Sequence, residues 1–240
     1  METILITGAN RGLGLETTKF LLQNGYFVYL GCRNTASGKK TMSGLKELGL
    51  TNCSLVEIDV TKQSSVDQAK QELLSKTDSL DVLINNAGIL GRIATPEYPH
   101  TVADVQHVFD TNFFGVIRVT EAFLPLLKKS KNPRIVNVTS DLGSLTLQQN
   151  PDWEYFSFKN ITYCPSKTAL NAYTVALAYK LREDNIKVNC VTPGYTATDF
   201  NNYRGILKPE DSCKIIAKSA MIDENGLTGK FMAAGGELPW

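Results

Sequence analysis

Short apolar segments alternate with longer amphipathic segments along nearly the whole chain, and this alternation restricts the possible folds more than any other feature. Seven apolar segments are rich in β-branched and aromatic residues and nearly continuous, as strands covered on both faces are. They centre on Ile4, Val28, Val56, Leu83, Val136, Val188 and Phe231. The amphipathic segments have helical spacing and cover residues 13–24, 36–48, 64–76, 102–128, 166–184 and 209–221. The alternation predicts an α/β fold over residues 1–240: a single doubly wound Rossmann domain with a mainly parallel sheet of about seven strands and helices on both faces.

Two long connections interrupt this pattern, at residues 141–162 and 196–208. Neither shows a clear periodic element, and each follows a predicted strand, so both should open at the carboxyl edge of the sheet where ligands bind. Long connections in a compact domain are typical of substrate loops. The first contains the aromatic residues Trp153, Tyr155, Phe156 and Phe158. These rings fit a pocket for an apolar ketone, such as an aryl ketone, and they fit equally well a set of core residues packed under the loop.

Composition excludes several classes of protein. The formal net charge is +1 and the charges are scattered, so no basic field for nucleic acid or membrane surfaces is expected. No segment approaches the roughly 18 uninterrupted apolar residues of a membrane span, and the N-terminus does not resemble a signal peptide, which predicts a cytoplasmic protein. The five cysteines are widely spaced with no C-x-x-C pair, and this argues against a metal site.

A glycine-rich stretch, TGANRGLG at residues 7–14, follows the first predicted strand and precedes the first helix. Its spacing differs from the common G-x-G-x-x-G dinucleotide motif and from the P-loop. The physical requirement is the same, because a pyrophosphate can approach the amides at a helix N-terminus only where side chains do not block it. A glycine-rich turn without a ligand is the alternative, but its position favours a dinucleotide. The predicted contacts are Gly8, Asn10, Arg11, Gly12, Leu13 and Gly14.

The end of the second strand bears on the choice of dinucleotide. Rossmann domains that prefer NAD place an acidic residue there to bind the ribose 2′-hydroxyl. Here the sequence is LGCRN, so Cys32 stands at the acidic position and Arg33 follows it. Arg33 and Arg11 could bind a 2′-phosphate through charge-assisted hydrogen bonds. Alternatively, Arg33 only ends the strand and Arg11 is solvated. The missing acid and the two cations favour NADP(H).

Two tyrosine–lysine pairs have the same spacing, Tyr155–Lys159 and Tyr163–Lys167. Only the second leads into an apolar stripe at helical spacing, and Pro165 suits a first helical turn. A free phenol has a pKa of about 10, so it needs a nearby cation to act as an acid-base catalyst at neutral pH. We interpret Tyr163 and Lys167 as this pair, surface decoration being the alternative, and Tyr155 as part of an aromatic lid.

Several motifs follow one another along the chain: Thr7-Gly8-x-x-x-Gly12-x-Gly14, Asp59 after the third strand, NNAG at residues 85–88, Asn112, Ser140, Tyr163-x-x-x-Lys167 and Pro193-Gly194. In this order they resemble the classical short-chain dehydrogenase/reductase family over nearly the whole chain. The ending TGKFMAAGGELPW and the arginine in the glycine-rich loop resemble its NADPH-dependent carbonyl reductase branch.

The resemblance implies an oxidoreductase that transfers hydride from NADPH to a ketone or aldehyde. Tyr163 would be the general acid/base, Lys167 would lower its pKa, Ser140 would stabilise the substrate oxygen and Asn112 would support a proton relay. Further implied cofactor contacts, besides Tyr163 and Lys167, are Asp59, Val60, Asn86, Ala87, Gly88, Pro193, Gly194, Thr196 and Thr198. The expected substrate contacts are Ser140, Trp153, Tyr155, Phe156 and Tyr163.

Other interpretations stay open at this point. A non-catalytic NADP(H)-binding sensor could use the same fold, although it would not need the four catalytic residues. A dehydratase or epimerase of the extended branch would require a larger substrate domain. The expected partner is a small carbonyl or alcohol, and a homo-oligomer and a monomer are both compatible with the sequence.

Overall fold

The computed structural model describes residues 1–93, 95 and 97–240, which form one α/β domain around a central sheet. In the described residues the sheet has eight strands: β1 Thr3–Thr7, β2 Phe27–Cys32, β3 Cys53–Glu57, β4 Val82–Asn85, β5 Arg134–Val138, β6 Lys187–Val191, β7 Phe231–Ala233 and β8 Gly236–Glu237. Their order is β3-β2-β1-β4-β5-β6-β7-β8. All neighbours are parallel except β7 and β8. The doubly wound arrangement that the sequence predicts is therefore confirmed.

The described residues form eight α-helices around this sheet. They are α1 Gly12–Gln23, α2 Thr35–Glu47, α3 Gln63–Leu74, α4 Val102–Phe109, α5 Gly115–Leu127, α6 Leu145–Gln149, α7 Tyr163–Lys180 and α8 Pro209–Ala220. None of these helices combines the length and the apolarity needed to cross a bilayer.

Strand β1 shows why its apolar run folds as a doubly covered strand. Ile4 and Ile6 point to one face and pack in a cluster with Leu21 of α1. Leu5 points to the opposite face and packs in a second cluster with Phe123 of α5. Because side chains alternate along a strand, a continuously apolar strand needs a helical layer on each face. Each fully buried aliphatic side chain contributes about 1.5–3 kcal/mol to the free energy of unfolding.

Two predicted boundaries are corrected by the structure. The sequence predicts seven strands, and the eighth, β8, has only two residues, too few to produce a recognisable alternation. The sequence also predicts one continuous helix over 102–128, whereas a π-helical segment at Asp110–Phe114 separates α4 from α5. A π segment accommodates an extra residue without ending the helix, so the apolar pattern continues through it.

The predicted absence of regular structure at 141–162 is wrong for its first part. A 3-10 turn at Asp141–Gly143 leads directly into the short helix α6. Ser144 caps α6 by accepting a hydrogen bond from the Leu147 backbone N–H at 3.1 Å. The Thr146 backbone N–H donates to the Trp240 carbonyl at 3.0 Å. The segment is thus fixed by a cap and by a distant part of the chain, neither of which produces hydrophobic periodicity.

The second predicted loop, 196–208, is irregular apart from a 3-10 turn at Asp199–Asn201. Asn202 and Tyr203 both have left-handed backbone angles, with φ of 53° and 59°. The Asn201 side-chain amide donates to the Thr196 carbonyl at 2.8 Å. The loop is therefore folded back on itself at the carboxyl edge of the sheet.

Candidate active site

A cleft of about 1200 Å³ lies at the carboxyl ends of the parallel strands. Its walls come from the glycine-rich loop after β1, the ends of β2, β3, β4 and β5, the start of α7 and the loop after β6. The strand order reverses at β1 and β4, so the chain connections after these two strands run in opposite directions and leave a crevice between them. Open α/β sheets bind their ligands in this crevice.

One end of the cleft is a cradle made largely of backbone. Gly8 has a φ of +66°, and a Cβ there would lie 3.1 Å from the Ala87 Cα. A Cβ at Gly14 would overlap the Gly8 carbonyl oxygen and lie 2.6 Å from the Asn86 side-chain nitrogen. The turn therefore requires glycine at both positions, and it leaves the N-terminus of α1 open to an anion.

Thr7 and Asn86 lock this cradle to the turn after β4. The Thr7 hydroxyl accepts hydrogen bonds from the backbone N–H groups of Asn86 and Ala87, each at 3.0 Å. In return, the Asn86 side-chain amide donates to the Thr7 carbonyl at 2.8 Å. Asn85 donates to Asn137 on the neighbouring strand β5 at 2.9 Å. The polar residues of the NNAG motif thus hold two loops and two strands in register.

The end of β2 carries no carboxylate. Cys32 is buried, and Arg33 beside it is exposed and lines the cleft. Arg11, the second predicted phosphate ligand, also lines the cleft, and its guanidinium forms an ion pair with Asp199 at 2.6 Å. The Arg11 side chain is 69% exposed, so this pair contributes at most about 1 kcal/mol and a stronger anionic ligand can replace it.

Asp59 follows β3 and lines the same end of the cleft. Burial disfavours its charged form, but hydrogen bonds from Thr61 and the positive charges of Lys62 and Arg33 outweigh this effect and lower the pKa of the Asp59 carboxyl. The Thr61 hydroxyl donates to one carboxylate oxygen at 2.7 Å. Asp59 is therefore an ionised hydrogen-bond acceptor at neutral pH.

Tyr163 begins helix α7 at the opposite end of the cleft. Its side chain is buried, and its ring packs edge-on against Phe200 with centroids 5.7 Å apart. Burial raises the pKa of Tyr163 well above its usual value, and the adjacent Ser140 hydroxyl only partly offsets this rise. The sequence predicts a lowered value, so the structure differs at this point: desolvation of the buried phenol decides the direction.

Lys167 lies one helical turn after Tyr163 and is also buried. Its ammonium group donates a hydrogen bond to the Val138 carbonyl at the end of β5, at 2.9 Å, and lies 5.8 Å from the centre of the Tyr163 ring. Burial lowers the pKa of Lys167 to about 8. A cation is therefore held beside the phenol near neutral pH.

Ser140 follows β5 and is directed at the same point of the cleft. Its hydroxyl donates to a carboxylate oxygen of Asp141 at 3.1 Å and accepts from the Leu142 backbone N–H at 3.2 Å. Ser140 and Tyr163 both line the cleft, and their hydroxyls are close enough to interact.

Asn112 lies inside the π-helical segment and is fully buried. Its side-chain amide group donates to the Ile89 carbonyl at 2.9 Å and to the Ser166 hydroxyl at 3.0 Å, while its carbonyl oxygen accepts from the Ile89 N–H at 2.8 Å. The Asn112 side chain therefore connects the irregular segment after the NNAG turn to helix α7 and supports the floor of the site.

Aromatic side chains dominate the end of the cleft beyond Tyr163. Tyr155 packs edge-on against Tyr195 with centroids 6.0 Å apart, and both line the cleft. Trp153 packs behind Tyr155 at 5.5 Å. The Lys159 ammonium group lies over the Phe156 ring at 4.4 Å and donates to the Gln148 carbonyl at 2.6 Å. The upstream tyrosine–lysine pair is thus divided: only Tyr155 faces the cleft.

Most of the site residues predicted from the sequence meet in this one cleft. Three do not line it: Asn112 supports it from below, and Trp153 and Phe156 lie outside its wall. The residues that line it are Gly8, Asn10, Arg11, Gly12, Leu13, Gly14, Arg33, Asp59, Val60, Asn86, Ala87, Gly88, Ser140, Tyr155, Tyr163, Lys167, Pro193, Gly194, Thr196 and Thr198.

Sequence reasoning missed other residues of the cleft wall, among them Asp141, Tyr195, Asp199, Phe200 and Arg204. Asp141 and Tyr195 directly follow recognised motifs, so position alone could have identified them. The other three fall within the predicted loop 196–208, but an irregular segment gives no indication of which side chains point inward. Among the described residues, no cluster of three or more His, Cys, Asp or Glu side chains could hold a metal ion.

Comparisons with known proteins identify the family. A sequence model described as short chain dehydrogenase matches residues 2–206. The chain belongs to the short chain dehydrogenase family. It is 37% identical over 224 residues to the short-chain dehydrogenase anuI of Penicillium roqueforti, covering 90% of this chain and 87% of that protein.

Solved structures of this family superpose on the whole domain. The carbonyl reductase Sniffer of D. melanogaster is 30% identical, with a TM-score of 0.85 and full coverage of both chains. An NADPH-bound carbonyl reductase from chicken fatty liver is 28% identical, with a TM-score of 0.85, and covers 100% of this chain and 99% of that one. Both the family and the resemblance to carbonyl reductases are thus confirmed by proteins that share the fold from end to end.

Proposed function

We propose that this family member reduces a ketone or aldehyde with NADP(H), using Tyr163 as the general acid. The observation that carries the proposal is that Tyr163, Lys167 and Ser140 meet at one end of a cleft whose other end is a cradle made largely of backbone. A dinucleotide likewise has two chemically different ends, its phosphates and its reactive ring. The NADPH bound to the similar chicken carbonyl reductase supports the same choice of cofactor.

The residues of the cradle fit a dinucleotide phosphate. Gly8 and Gly14 leave room that a Cβ would fill, and the N-terminal amides of α1 face that space. Arg11 and Arg33 supply positive charge beside an end of β2 that has no carboxylate, which favours a 2′-phosphate. Asp59 would accept a hydrogen bond from an adenine amino group. When bound, the cofactor supplies the hydride.

Tyr163 would supply the proton. Because burial raises its pKa, the phenol is protonated at neutral pH and can donate a hydrogen bond to a carbonyl oxygen at once. After the proton leaves, the charge of Lys167 one turn away would stabilise the phenolate. Ser140 would donate to the same substrate oxygen and stabilise its developing negative charge. Asn112 would keep the floor of the site in place, and its part in a proton relay stays a prediction.

The test is the substitution Tyr163→Phe, which removes one oxygen. We expect NADPH consumption over a panel of aryl and alkyl ketones to fall by about 10²–10⁴-fold, the usual contribution of a general acid. NADPH binding, followed by its fluorescence, should be unchanged. Full turnover by the variant would overturn the mechanism. A wild-type protein that binds NADPH but reduces no carbonyl compound would favour the sensor instead.

Two further properties remain predictions from the sequence: the cytoplasmic location and the choice between a monomer and a homo-oligomer. Light scattering of the purified protein decides the second directly.

A further inference from the structure

The Ser140 hydroxyl has a single proton, and in the structure that proton forms a hydrogen bond to the carboxylate of Asp141. The hydroxyl donates to Asp141 at 3.1 Å, and its oxygen accepts from the Leu142 N–H at 3.2 Å. The same N–H also donates to the Asp141 carboxylate oxygen at 3.1 Å. A carboxylate is a far stronger acceptor than a ketone oxygen, so a bound substrate must compete with Asp141 for this proton.

The arrangement is rigid. Asp141 begins the 3-10 turn that packs on helix α7, where a Cβ at Gly143 would lie 2.9 Å from the Lys167 backbone carbon. The Thr168 hydroxyl donates to the Gly143 carbonyl at 3.0 Å and fastens the turn to the helix. Asp141 is therefore held at a fixed place beside Ser140, and it also lines the cleft.

We propose that Asp141 is a positioning residue that controls the direction of the Ser140 hydroxyl proton. As a carboxylate, Asp141 accepts this proton in a hydrogen bond and so turns it away from the substrate oxygen. As a carboxylic acid, Asp141 leaves the proton free to bond to the substrate. This inference rests on the proposed reduction. In the protonated form the acid O–H donates to the Ser140 oxygen, so the serine proton is free to bond to the substrate carbonyl. Protonation also removes a negative charge from beside an oxygen that becomes negative during reduction.

The surroundings of Asp141 favour protonation more than those of an exposed aspartate. Burial raises the pKa of Asp141, and the negative charge of Glu154 in the loop adds to this. The hydrogen bonds from Ser140 and Leu142 act in the opposite direction. The other titratable groups that face it are Tyr155 in the same loop and, on α7, Tyr163 and Cys164.

The expected consequence is a pH dependence that one substitution removes. Because reduction requires the released serine proton, kcat of the wild type should fall as pH rises through the raised pKa of Asp141. Asp141→Asn keeps the size of the side chain but carries no charge at any pH, so its amide oxygen, which would still accept from the Leu142 N–H, competes less strongly for the serine proton. We expect kcat of this variant to be independent of pH over that range and about fivefold higher above it, the difference between a charged and a neutral acceptor. Asp152→Asn, which removes an exposed carboxylate of the same loop outside the cleft wall, should behave as the wild type.

A second measurement does not depend on turnover. Carbon-13 NMR of protein labelled at the aspartate carboxyls should show one signal, absent in Asp141→Asn, that titrates above the usual aspartate range. Ser140→Ala removes a bond to the carboxylate, so it should raise this pKa further. A signal that does not respond to Ser140→Ala would overturn the proposal.

The outcomes separate this proposal from the proposed function. If the wild type reduces carbonyls but its pH profile is the same in Asp141→Asn, then the control by Asp141 is refuted and the reductase assignment survives. A uniform loss of activity at all pH values in a folded Asp141→Asn protein would also refute it. If no carbonyl is reduced by the wild type, the proposed function fails, and the NMR titration still decides whether Asp141 holds the serine proton.

Discussion

The two ends of the cleft differ in whether backbone or side chains shape them. The proposed cofactor end is shaped by backbone: Gly8 and Gly14 leave space, and Thr7 and Asn86 fix the loops with hydrogen bonds to main-chain groups. The proposed substrate end is shaped by side chains, chiefly the rings of Tyr155, Tyr195 and Phe200, carried on irregular segments. A backbone cradle suits a ligand that never changes, whereas side chains on loops can be exchanged without disturbing the sheet.

The strongest test of a backbone cradle is a single methyl group. Gly14→Ala places a Cβ against the Gly8 carbonyl oxygen and the Asn86 amide, so the loop must move. We expect the affinity for NADPH to fall more than about hundredfold and the free energy of unfolding to fall by about 1–3 kcal/mol. Fluorescence titration and urea denaturation measure the two effects.

Gly44→Ala in α2 is the matched control for this substitution. Its Cβ would meet nothing within 4 Å, so NADPH binding should not change and the free energy of unfolding should rise by about 0.5–1 kcal/mol. Equal binding by the Gly14→Ala variant and the wild type would show that the cradle is not shaped by its glycines.

Lys167 lies between the two ends of the cleft, and its buried charge should lower the free energy of unfolding. Its pKa in the folded protein is about 8 against an ordinary value of 10.5, so unfolding takes up a proton between these values. Lys167→Met should therefore stabilise the protein below pH 8 by at most about 3 kcal/mol, and the gain should decline as pH rises towards 10.5. Turnover should be lost. Urea denaturation at pH 7 and pH 10 checks the sign, and a variant less stable at pH 7 would contradict it.

Arg33, at the proposed cofactor end of the cleft, should set the preference for NADPH over NADH without being needed for folding. Arg33→Asp replaces a guanidinium by a carboxylate that repels a 2′-phosphate. We expect the ratio of NADPH to NADH affinity to fall about tenfold to hundredfold. Lys39→Asp makes the same charge change nearby on α2, outside the cleft wall, and should have little effect. A preference unaltered by Arg33→Asp would remove this residue from the phosphate site.

Substitutions at the proposed substrate end should have small effects on turnover, and a ring that faces the cleft should matter more than a ring behind it. Tyr155→Ala should raise KM for an aryl ketone several-fold, because an aromatic contact contributes about 0.5–1.5 kcal/mol, and should leave kcat nearly unchanged. Trp153→Ala, which removes a ring packed behind Tyr155, should have a smaller effect. Steady-state kinetics measure both. The reverse order would mean that Trp153, not Tyr155, contacts the substrate.

The sequence was informative where a constraint acts on the backbone. Glycine spacing at residues 8, 12 and 14 and strand–helix alternation are local patterns, and they predicted the cradle and the doubly wound sheet. The helical stripe after Tyr163 likewise separated it from Tyr155.

The sequence was uninformative where contacts link distant segments. The cap at Ser144, the bond from Thr146 to Trp240 and the inward direction of Phe200 depend on tertiary packing. The raised pKa of Tyr163 could not be predicted either, because it follows from burial, which is a property of the finished fold.

The π-helical segment at Asp110–Phe114 has a consequence for engineering. One residue more than a regular helix would hold is accommodated there, and each residue in a helix corresponds to a rotation of about 100°. Deleting a single position in this segment would remove the extra residue and restore a regular helix, so the flanking helices would keep their faces. Val119 and Phe123 would stay in their cluster, whereas Asn112 would leave Ile89 without its partner. The same deletion within α5 would instead turn the rest of that helix by this angle, so the place of a deletion decides whether the catalytic floor or the hydrophobic interior is disturbed.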